Sequence, residues 1–172
     1  MVLKYDEKIA NEVRELRDYT KHTTFKVRYN YKMTDMEAAL GICQIKKLDQ
    51  FIVKRKILFN RYIEALKNRE DIILPRYNYE ESTIPSFYRF IVKLLRHDII
   101  YVIETMKNRG IICGKGVLQP LHKLLGLNHT NYPNSEKLSR EVISLPLYPS
   151  LSIEEIDYIV KYLMEILDEN RF

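Results

Sequence analysis

The segment YNYKMTDMEAALG, residues 29–41, contains the clearest helix start in the chain. Thr34 is followed three residues later by Glu37, which is the spacing of a capping box. In a capping box the threonine hydroxyl accepts a hydrogen bond from an early helix N–H, and the glutamate accepts one from the threonine N–H. A helix is therefore predicted to begin at this point. The preceding residues, Tyr19 to Tyr31, break helical periodicity and are predicted to form an extended loop.

The helix that begins here is predicted to be long, because no proline follows before Pro75. We expect about 33 helical residues and a length of about 50 Å. A small domain is narrower than this, so the residues that follow are not expected to cover the whole apolar stripe. An absent N-terminal domain, a second subunit, or both are expected to cover the rest. The stripe contains Met36, Leu40, Cys43, Leu48, Phe51, Ile52, Leu58, Tyr62 and Leu66.

After Arg69 the sequence changes to short apolar segments separated by turn residues. The strongest alternation runs from Ser86 to Leu95, and it predicts a strand with one buried face. The expected fold class is α/β, in which a long N-terminal helical arm precedes a small α/β domain with a short mixed or antiparallel sheet. The predicted buried face carries Tyr88, Phe90, Val92 and Leu94. Other strands are predicted at 72–74, 111–113 and 143–147, and helices at 5–20, from Asp98, from Asn134 or Ser135, and from Ser152.

The composition is that of an ordinary folded domain, with 172 residues of which 46% are hydrophobic and 30% charged. No run approaches the roughly 18 apolar residues that span a bilayer, and the first ten residues do not resemble a signal peptide. We therefore expect no membrane partner and a cytoplasmic location.

The net charge of +5 is concentrated in one segment, residues 44–69, which holds eight basic and two acidic residues. A solvated helix face explains such a segment, and contact with a nucleotide or a nucleic acid is the alternative. The composition leaves both interpretations open.

Motifs for independent catalysis are absent from the sequence. Gly110, Gly114, Lys115 and Gly116 resemble a phosphate-binding loop, but one spacing is a residue short and no Ser or Thr follows the lysine. The four histidines and two cysteines lack the spacing of metal ligands or of a nucleophile signature. No metal site and no catalytic residue is predicted.

Two segments, residues 29–41 and GVLQPLH at 116–122, carry a resemblance to a known family. They resemble the segments N-Y-R-M-T-D-x-x-A-A-L and G-V-x-x-P-L-H of the DegT/DnrJ/EryC1/StrS sugar aminotransferases. LPLYP at 145–149 resembles the family turn S-L-P-L-Y-P, and the matches Ser86 to Tyr88 and Arg109 to Ile111 occur in the same order. The resemblance extends over nearly the whole chain and implies the C-terminal half of a fold type I, pyridoxal-phosphate-dependent enzyme.

The resemblance also implies a division of the chain into three parts. Residues 1–33 correspond to the end of the large domain and an active-site loop, residues 34–69 to a long interdomain or dimerisation helix, and residues 70–172 to the small C-terminal domain. In the family the Schiff-base lysine lies in the preceding half, and Met1 to Leu3 resemble the strand just after it. No lysine of this chain matches that motif, so catalysis by the chain alone is not expected.

The family dimer completes each cofactor pocket with residues from the neighbouring subunit. By resemblance, Asn30 is predicted to donate a hydrogen bond to the phosphate of pyridoxal phosphate, and a turn position before a helix is the alternative. Lys32 replaces the usual arginine, which would change a two-pronged contact into a point-charge contact. Arg28, Tyr29, Lys32, Tyr88 and His122 are predicted to contact the sugar nucleotide, although packing or loop bracing would also explain Tyr29, Tyr88 and His122.

Three classes of function remain open from the sequence. The first is a split or truncated aminotransferase half that pairs with a separately encoded N-terminal half or forms a homodimer through the long helix. The second is a non-catalytic module for sugar-nucleotide binding or dimerisation. The third is a nucleic-acid-binding domain that uses the basic helix, and it is the least expected of the three.

Overall fold

The computed structural model describes residues 6–19, 23–76 and 85–169. The chain divides into two compact units, Met1–Leu48 and Asp49–Phe172. The helices of the described residues are α1 (Glu7–Leu16), α2 (Asp35–Ile45), α3 (Leu48–Leu66), α4 (Ile99–Asn108), α5 (Leu121–Leu124), α6 (Pro133–Glu141) and α7 (Ile153–Glu169). The strands are β1 (Ile72–Ile73), β2 (Phe90–Leu94), β3 (Gly114–Lys115) and β4 (Val142–Leu145).

The first unit contains α1 and α2, and both helices begin with side-chain caps. Asp6 accepts hydrogen bonds from the backbone N–H groups of Lys8 and Ile9 at the start of α1. At α2 the capping box predicted for Thr34 and Glu37 is confirmed, because each side chain accepts from the backbone N–H of the other residue. These caps start the helices without burial, since neither α1 nor α2 contains a buried residue.

The prediction of one continuous helix from the capping box to Leu66 is wrong. α2 ends at Ile45 and α3 begins at Leu48, with two turn residues between them. The Lys47 N–H donates to the Gln44 carbonyl at 3.0 Å, which is the tighter i to i−3 pattern in place of the α-helical one. This turn interrupts the helical hydrogen-bond ladder.

The second unit is built around a four-stranded sheet with the order β1-β2-β4-β3, in which every pairing is antiparallel. The α/β class is confirmed, and the sheet is antiparallel. The strand predicted at 111–113 forms instead at Gly114–Lys115, where it pairs with β4. Just after β3, the backbone of Gly116 lies so close to β4 that a Cβ at this position would collide with the Val142 side chain.

The core of the second unit lies where α3, α4 and α7 pack with the sheet. Tyr62 on α3 is fully buried, its ring stacks on Phe90 of β2 at 4.5 Å, and its hydroxyl donates to the Pro146 carbonyl at 2.9 Å. The helix predicted from Asp98 is confirmed as α4, which is followed by Gly110 with a positive φ of 76°. The other completely enclosed side chains include Leu66, Leu94, Met106, Ile143, Ile156, Leu163 and Leu167.

Candidate functional site

Asn30 lies in an extended segment whose backbone is fixed on both sides. The Tyr29 N–H donates to the Leu16 carbonyl at 2.8 Å, and the Tyr31 N–H donates to the Arg17 carbonyl at 2.9 Å. The rings of Tyr29 and Tyr31 stack at 5.1 Å with 5° between their planes. Because side chains alternate in an extended chain, two rings on one side leave Asn30 on the other.

The Asn30 side chain is exposed and makes no hydrogen bond within the described ranges 6–19, 23–76 and 85–169. Its carboxamide therefore keeps two N–H donors and a carbonyl acceptor for an external group. This is the arrangement that a phosphate contact needs, since a neutral amide donor can bind a phosphate oxygen without adding charge.

Arg28 is turned toward α1 and lies against Glu15. One guanidinium nitrogen, Nη2, donates to Glu15 Oε1 at 2.8 Å and to Thr24 Oγ1 at 3.0 Å, and Nη1 donates to the Thr24 carbonyl at 2.9 Å. The side chain is only 5% exposed, and its Nε is buried without a hydrogen-bond partner among the residues that the structure describes. The hydrogen bonds from Lys26 and Arg28 lower the pKa of Glu15. The substrate contact predicted for Arg28 stays a prediction, while its observed contacts fix the loop to α1.

Lys32 forms an ion pair with Asp18 and keeps about half of its side chain exposed. Together with Arg28, Tyr29 and Asn30 it belongs to one extended segment of the first unit. The substrate contacts predicted for Tyr29 and Lys32 stay predictions, and both side chains are accessible at the surface.

The prediction that Tyr88 shares the buried face of Phe90, Val92 and Leu94 is wrong. The three other residues are buried as predicted, but Tyr88 is 64% exposed and Phe87 is buried in its place. Phe87 has a positive φ of 47°, which interrupts the extended alternation just before β2 begins. Tyr88 is therefore directed outward, and its predicted contact with substrate stays a prediction.

His122 on α5 is buried and braces its loop against α6. Its Nε2 lies 2.8 Å from Glu136 Oε1, and its ring stacks on Tyr132 at 4.8 Å. The hydrogen bond from His122, followed by that from Lys123, lowers the pKa of Glu136 to about 2. These contacts support the loop-bracing interpretation of His122, and its predicted contact with substrate stays a prediction.

The basic residues in the C-terminal half of α3 and just after it are paired with carboxylates. Arg61 pairs with Asp157 at 2.7 Å, and Arg69 pairs with Asp71 at 2.6 Å and with Asp168 at 2.7 Å. Lys67 pairs with Glu64 one turn away. The solvated basic face is therefore smaller than the sequence count indicates, and binding to a nucleic acid stays an untested prediction.

Arg55 was counted among the basic residues of 44–69 but was assigned no role of its own, although it is four residues from both Phe51 and Phe59 in the apolar stripe. Glu15 and Glu136 were also missed, since their partners are 13 and 14 residues away in the sequence.

Within the parts of the chain that the structure describes, no group of three or more His, Cys, Asp or Glu side chains could hold a metal ion. In those same parts, no helix is both long and apolar enough to cross a bilayer.

A family model described as the DegT/DnrJ/EryC1/StrS aminotransferase family matches residues 1–164. The chain belongs to this family. An uncharacterized protein of Methanocaldococcus jannaschii is 30% identical over 152 residues, which are 83% of this chain and 39% of that protein. The dTDP-4-dehydro-2,3,6-trideoxy-D-glucose 4-aminotransferase of Saccharopolyspora spinosa is 32% identical over 123 residues, or 71% of this chain and 31% of that enzyme.

Solved structures agree with this family assignment. The Spr1654 protein of Streptococcus pneumoniae, solved in a PMP form, superposes with a TM-score of 0.81 and 25% identity. The match covers 95% of this chain and 44% of that one. The chain thus spans less than half the length of these family members.

Proposed function

We propose that this chain supplies the C-terminal part of a pyridoxal-phosphate-dependent sugar-nucleotide aminotransferase. Such an enzyme moves an amino group from an amino acid to a keto-sugar nucleotide. The family match over residues 1–164 supports the proposal, and the Saccharopolyspora spinosa relative has a name that describes amino transfer to a nucleotide-linked sugar. The observation that carries the proposal is the exposed carboxamide of Asn30 in the family segment, which makes no hydrogen bond within the described residues.

The residues of the first unit fit the phosphate of pyridoxal phosphate. Asn30 can donate to a phosphate oxygen, and the two backbone hydrogen bonds beside it hold the main chain on either side of this residue. The cofactor, when bound, supplies the electron sink for bond breaking at the amino-acid carbon. Tyr29 and Lys32 are exposed in the same segment, and we propose that they contact a bound substrate, for which Lys32 would exchange its ion pair with Asp18.

The reactive lysine is proposed to come from the part of the enzyme to which the remaining length of the relatives corresponds. The first unit exposes many apolar side chains that a companion surface would cover, among them Phe25, Val27, Met33, Met36, Leu40, Ile42 and Ile45. Burial of such side chains stabilises an interface by roughly 25 cal/mol per Å² of apolar surface. A second copy of the chain, meeting it through the α2–α3 region, or a separate N-terminal part would provide that surface.

A complementation experiment tests the proposal. The 172-residue chain is purified alone and also co-expressed with the N-terminal part of a family enzyme. We expect no amino transfer by the chain alone, and we expect transfer to a keto-sugar nucleotide by the co-purified complex in the presence of pyridoxal phosphate. Transfer by the chain alone would contradict the proposed division of labour. Failure of the two parts to form a complex under all expression conditions would contradict the proposed partner.

Cofactor retention isolates the role of Asn30. Asn30→Ala in the complex removes a hydrogen bond to a charged phosphate, so we expect about tenfold weaker binding of pyridoxal phosphate. Equilibrium dialysis measures this affinity without dependence on turnover. Asn60→Ala, an exposed substitution on α3, is the matched control and is expected to leave the affinity unchanged. Equal affinities for the two variants would remove Asn30 from the cofactor site.

A further inference from the structure

A cavity of about 490 Å³ opens between α7 and the segments that follow α4 and β4. Its lining combines residues 110–112, which follow α4, residues of the turn after β4, and three residues from the first two turns of α7. Ile111, Leu151 and Ile159 are buried and give the cavity an apolar inner surface. Small-molecule sites have volumes of roughly 300–1,000 Å³. The cavity is therefore large enough for a small organic ligand.

Two tyrosines add aromatic surface to this lining. Tyr148 and Tyr158 are 45% and 46% exposed, so part of each side chain is open to a ligand. The Tyr158 hydroxyl donates to the Arg109 carbonyl at 3.2 Å, and its ring packs edge-on against Tyr162 at 4.6 Å. These two contacts hold the Tyr158 ring in place. The face of an aromatic ring carries partial negative charge and attracts a cation.

The charge of the cavity is negative. Among the described residues that line it, Glu155 is the one ionised side chain. Its Oε2 accepts from the Ser152 N–H at 2.7 Å, and no cation in the described ranges forms an ion pair with this carboxylate. Arg109 and Lys161 lie over the ring of Tyr162, which does not line the cavity. Opposite charges attract, so the lining favours a cationic ligand over an anionic one.

We propose that this cavity binds a small organic ammonium ion. Glu155 supplies the opposite charge, Tyr148 and Tyr158 supply aromatic surface for the positive nitrogen, and the buried apolar residues cover the alkyl groups. A hard metal ion suits the cavity less well, because calcium and magnesium require several oxygen ligands and the lining offers one carboxylate. The site lies wholly in the second unit, and it does not rest on the proposed aminotransferase function.

Choline and its neutral isostere 3,3-dimethylbutan-1-ol separate the effect of charge from that of shape. A carbon replaces the quaternary nitrogen in the alcohol, so the two molecules have nearly the same size. The 172-residue chain is titrated with each at constant ionic strength, and proton–nitrogen NMR follows its backbone signals. We expect saturable binding of choline with shifts at Gly110, Ile112 and Tyr158. We expect the alcohol to bind about tenfold more weakly.

Substitution of Glu155 tests the source of the negative charge. Glu155→Gln removes the charge and keeps a side chain that is compatible with a capping box, so the variant is expected to fold. It is expected to weaken choline binding about fivefold. Glu154→Gln is the matched control, because it removes the same charge from the neighbouring exposed residue of α7, which does not line the cavity. We expect this control to leave the affinity within about twofold.

Substitution of Tyr148 tests the aromatic surface separately. Tyr148→Leu keeps an apolar side chain and removes the ring, so choline binding is expected to weaken about fivefold while binding of the alcohol changes less. Tyr148 is about half exposed, so this variant remains informative even if Glu155→Gln disturbs folding.

Four results would each overturn the site. The first is no saturable binding of choline by the wild-type chain. The second is equal affinity for choline and the alcohol, which would show that the cavity takes apolar molecules regardless of charge. The third is an unchanged choline affinity in folded Glu155→Gln or Tyr148→Leu. The fourth is an equal loss in Glu154→Gln and Glu155→Gln, which would assign the effect to net charge. None of these outcomes bears on amino transfer by the complemented enzyme, so the site and the proposed function fail separately.

Discussion

Helices α2 and α7 begin with the same local device but have different surroundings. Thr34 and Glu37 form the capping box of α2, and Ser152 and Glu155 form the box of α7 with hydrogen bonds of 2.7 and 3.2 Å. α2 buries none of its residues, whereas α7 buries six, among them Ile156, Leu163 and Leu167. A capping box therefore sets where a helix begins and carries no information about what the helix will pack against.

The two units as a whole differ in the same way as α2 and α7, because one has buried apolar residues and the other does not. The buried hydrophobic residues of the described chain all belong to the second unit, from Leu58 to Leu167. The first unit is held by hydrogen bonds and ion pairs such as those of Arg28 with Glu15 and Lys32 with Asp18. We infer that global stability resides in the second unit and that the first unit opens more easily, because few apolar contacts oppose its opening.

Removal of a large apolar side chain is the strongest test of this difference. Leu163→Ala in the core is expected to lower the free energy of unfolding by about 3 kcal/mol, since it combines lost burial with a cavity. Leu40→Ala makes the same chemical change on α2 at an exposed position, and we expect a loss below about 0.5 kcal/mol. Urea unfolding followed by circular dichroism measures both. Equal losses would show that the first unit shares the core.

Removal of a buried hydroxyl is expected to have the next largest effect. Tyr62→Phe leaves the Pro146 carbonyl without its donor in the core, which is expected to cost about 1–2 kcal/mol of unfolding free energy. Tyr31→Phe in the first unit removes a hydroxyl from an exposed ring and is expected to change stability by less than about 0.5 kcal/mol. If Tyr62→Phe leaves the free energy of unfolding unchanged in thermal and urea unfolding, this hydrogen bond does not stabilise the fold as inferred.

Replacing the N-cap hydroxyl residue of each capping box by alanine makes nearly the same chemical change in α7 and in α2. Ser152→Ala is expected to cost about 1 kcal/mol of global stability, because α7 is part of the core. Thr34→Ala removes the same kind of cap, but we expect its cost to be seen as faster amide exchange in α2 with an unchanged urea midpoint. Hydrogen exchange measured by NMR separates the local from the global effect. A shifted midpoint in Thr34→Ala would mean that α2 unfolds together with the core.

The smallest expected effect depends on pH. The pKa of Glu136 is lowered to about 2 in the folded state, so the ionised carboxylate stabilises the fold above its unfolded pKa near 4.5, and this contribution is lost as the pH falls toward 2. Glu136→Gln is therefore expected to lower the melting temperature at neutral pH. The difference from wild type should shrink between about pH 4.5 and 2.

Glu15→Gln is the counterpart in the first unit, where the pKa of Glu15 is also lowered. We expect it to speed amide exchange at Tyr29 and Tyr31 without a change in the melting temperature.

If the difference in melting temperature between Glu136→Gln and wild type persists unchanged to low pH, the ion pairs of Glu136 with its cationic neighbours do not contribute to stability.

The sequence predicted those features that depend on residues close together in the chain, and it failed where residues far apart in the chain make the contact. Helix starts at Thr34, Asp98 and Ser152 were predicted because a cap involves residues no more than three positions apart. The buried set Phe90, Val92 and Leu94 was predicted because strand alternation is equally local. Tyr88 was placed on the wrong face, because the ring of Phe87 is held by Phe59, a residue 28 positions earlier on α3.

The candidate site shows the same limit. The sequence pointed to Asn30 and His122 through segments that resemble the family and to Arg28 through its positive charge, and the family itself is shown by the match over residues 1–164. It did not reveal that Arg28 is paired with Glu15 or that His122 is paired with Glu136. A side chain that is already paired within the chain is less available to a ligand than one that is free.

The amino-acid sequence by itself determined the α/β class, the family and the positions at which the main helices begin, because caps, periodicity and motifs are properties of neighbouring residues. Only the tertiary structure decided which apolar residues are covered and which charges are paired. These outcomes depend on contacts between residues far apart in the chain, and the free energy of such contacts is set by packing and desolvation.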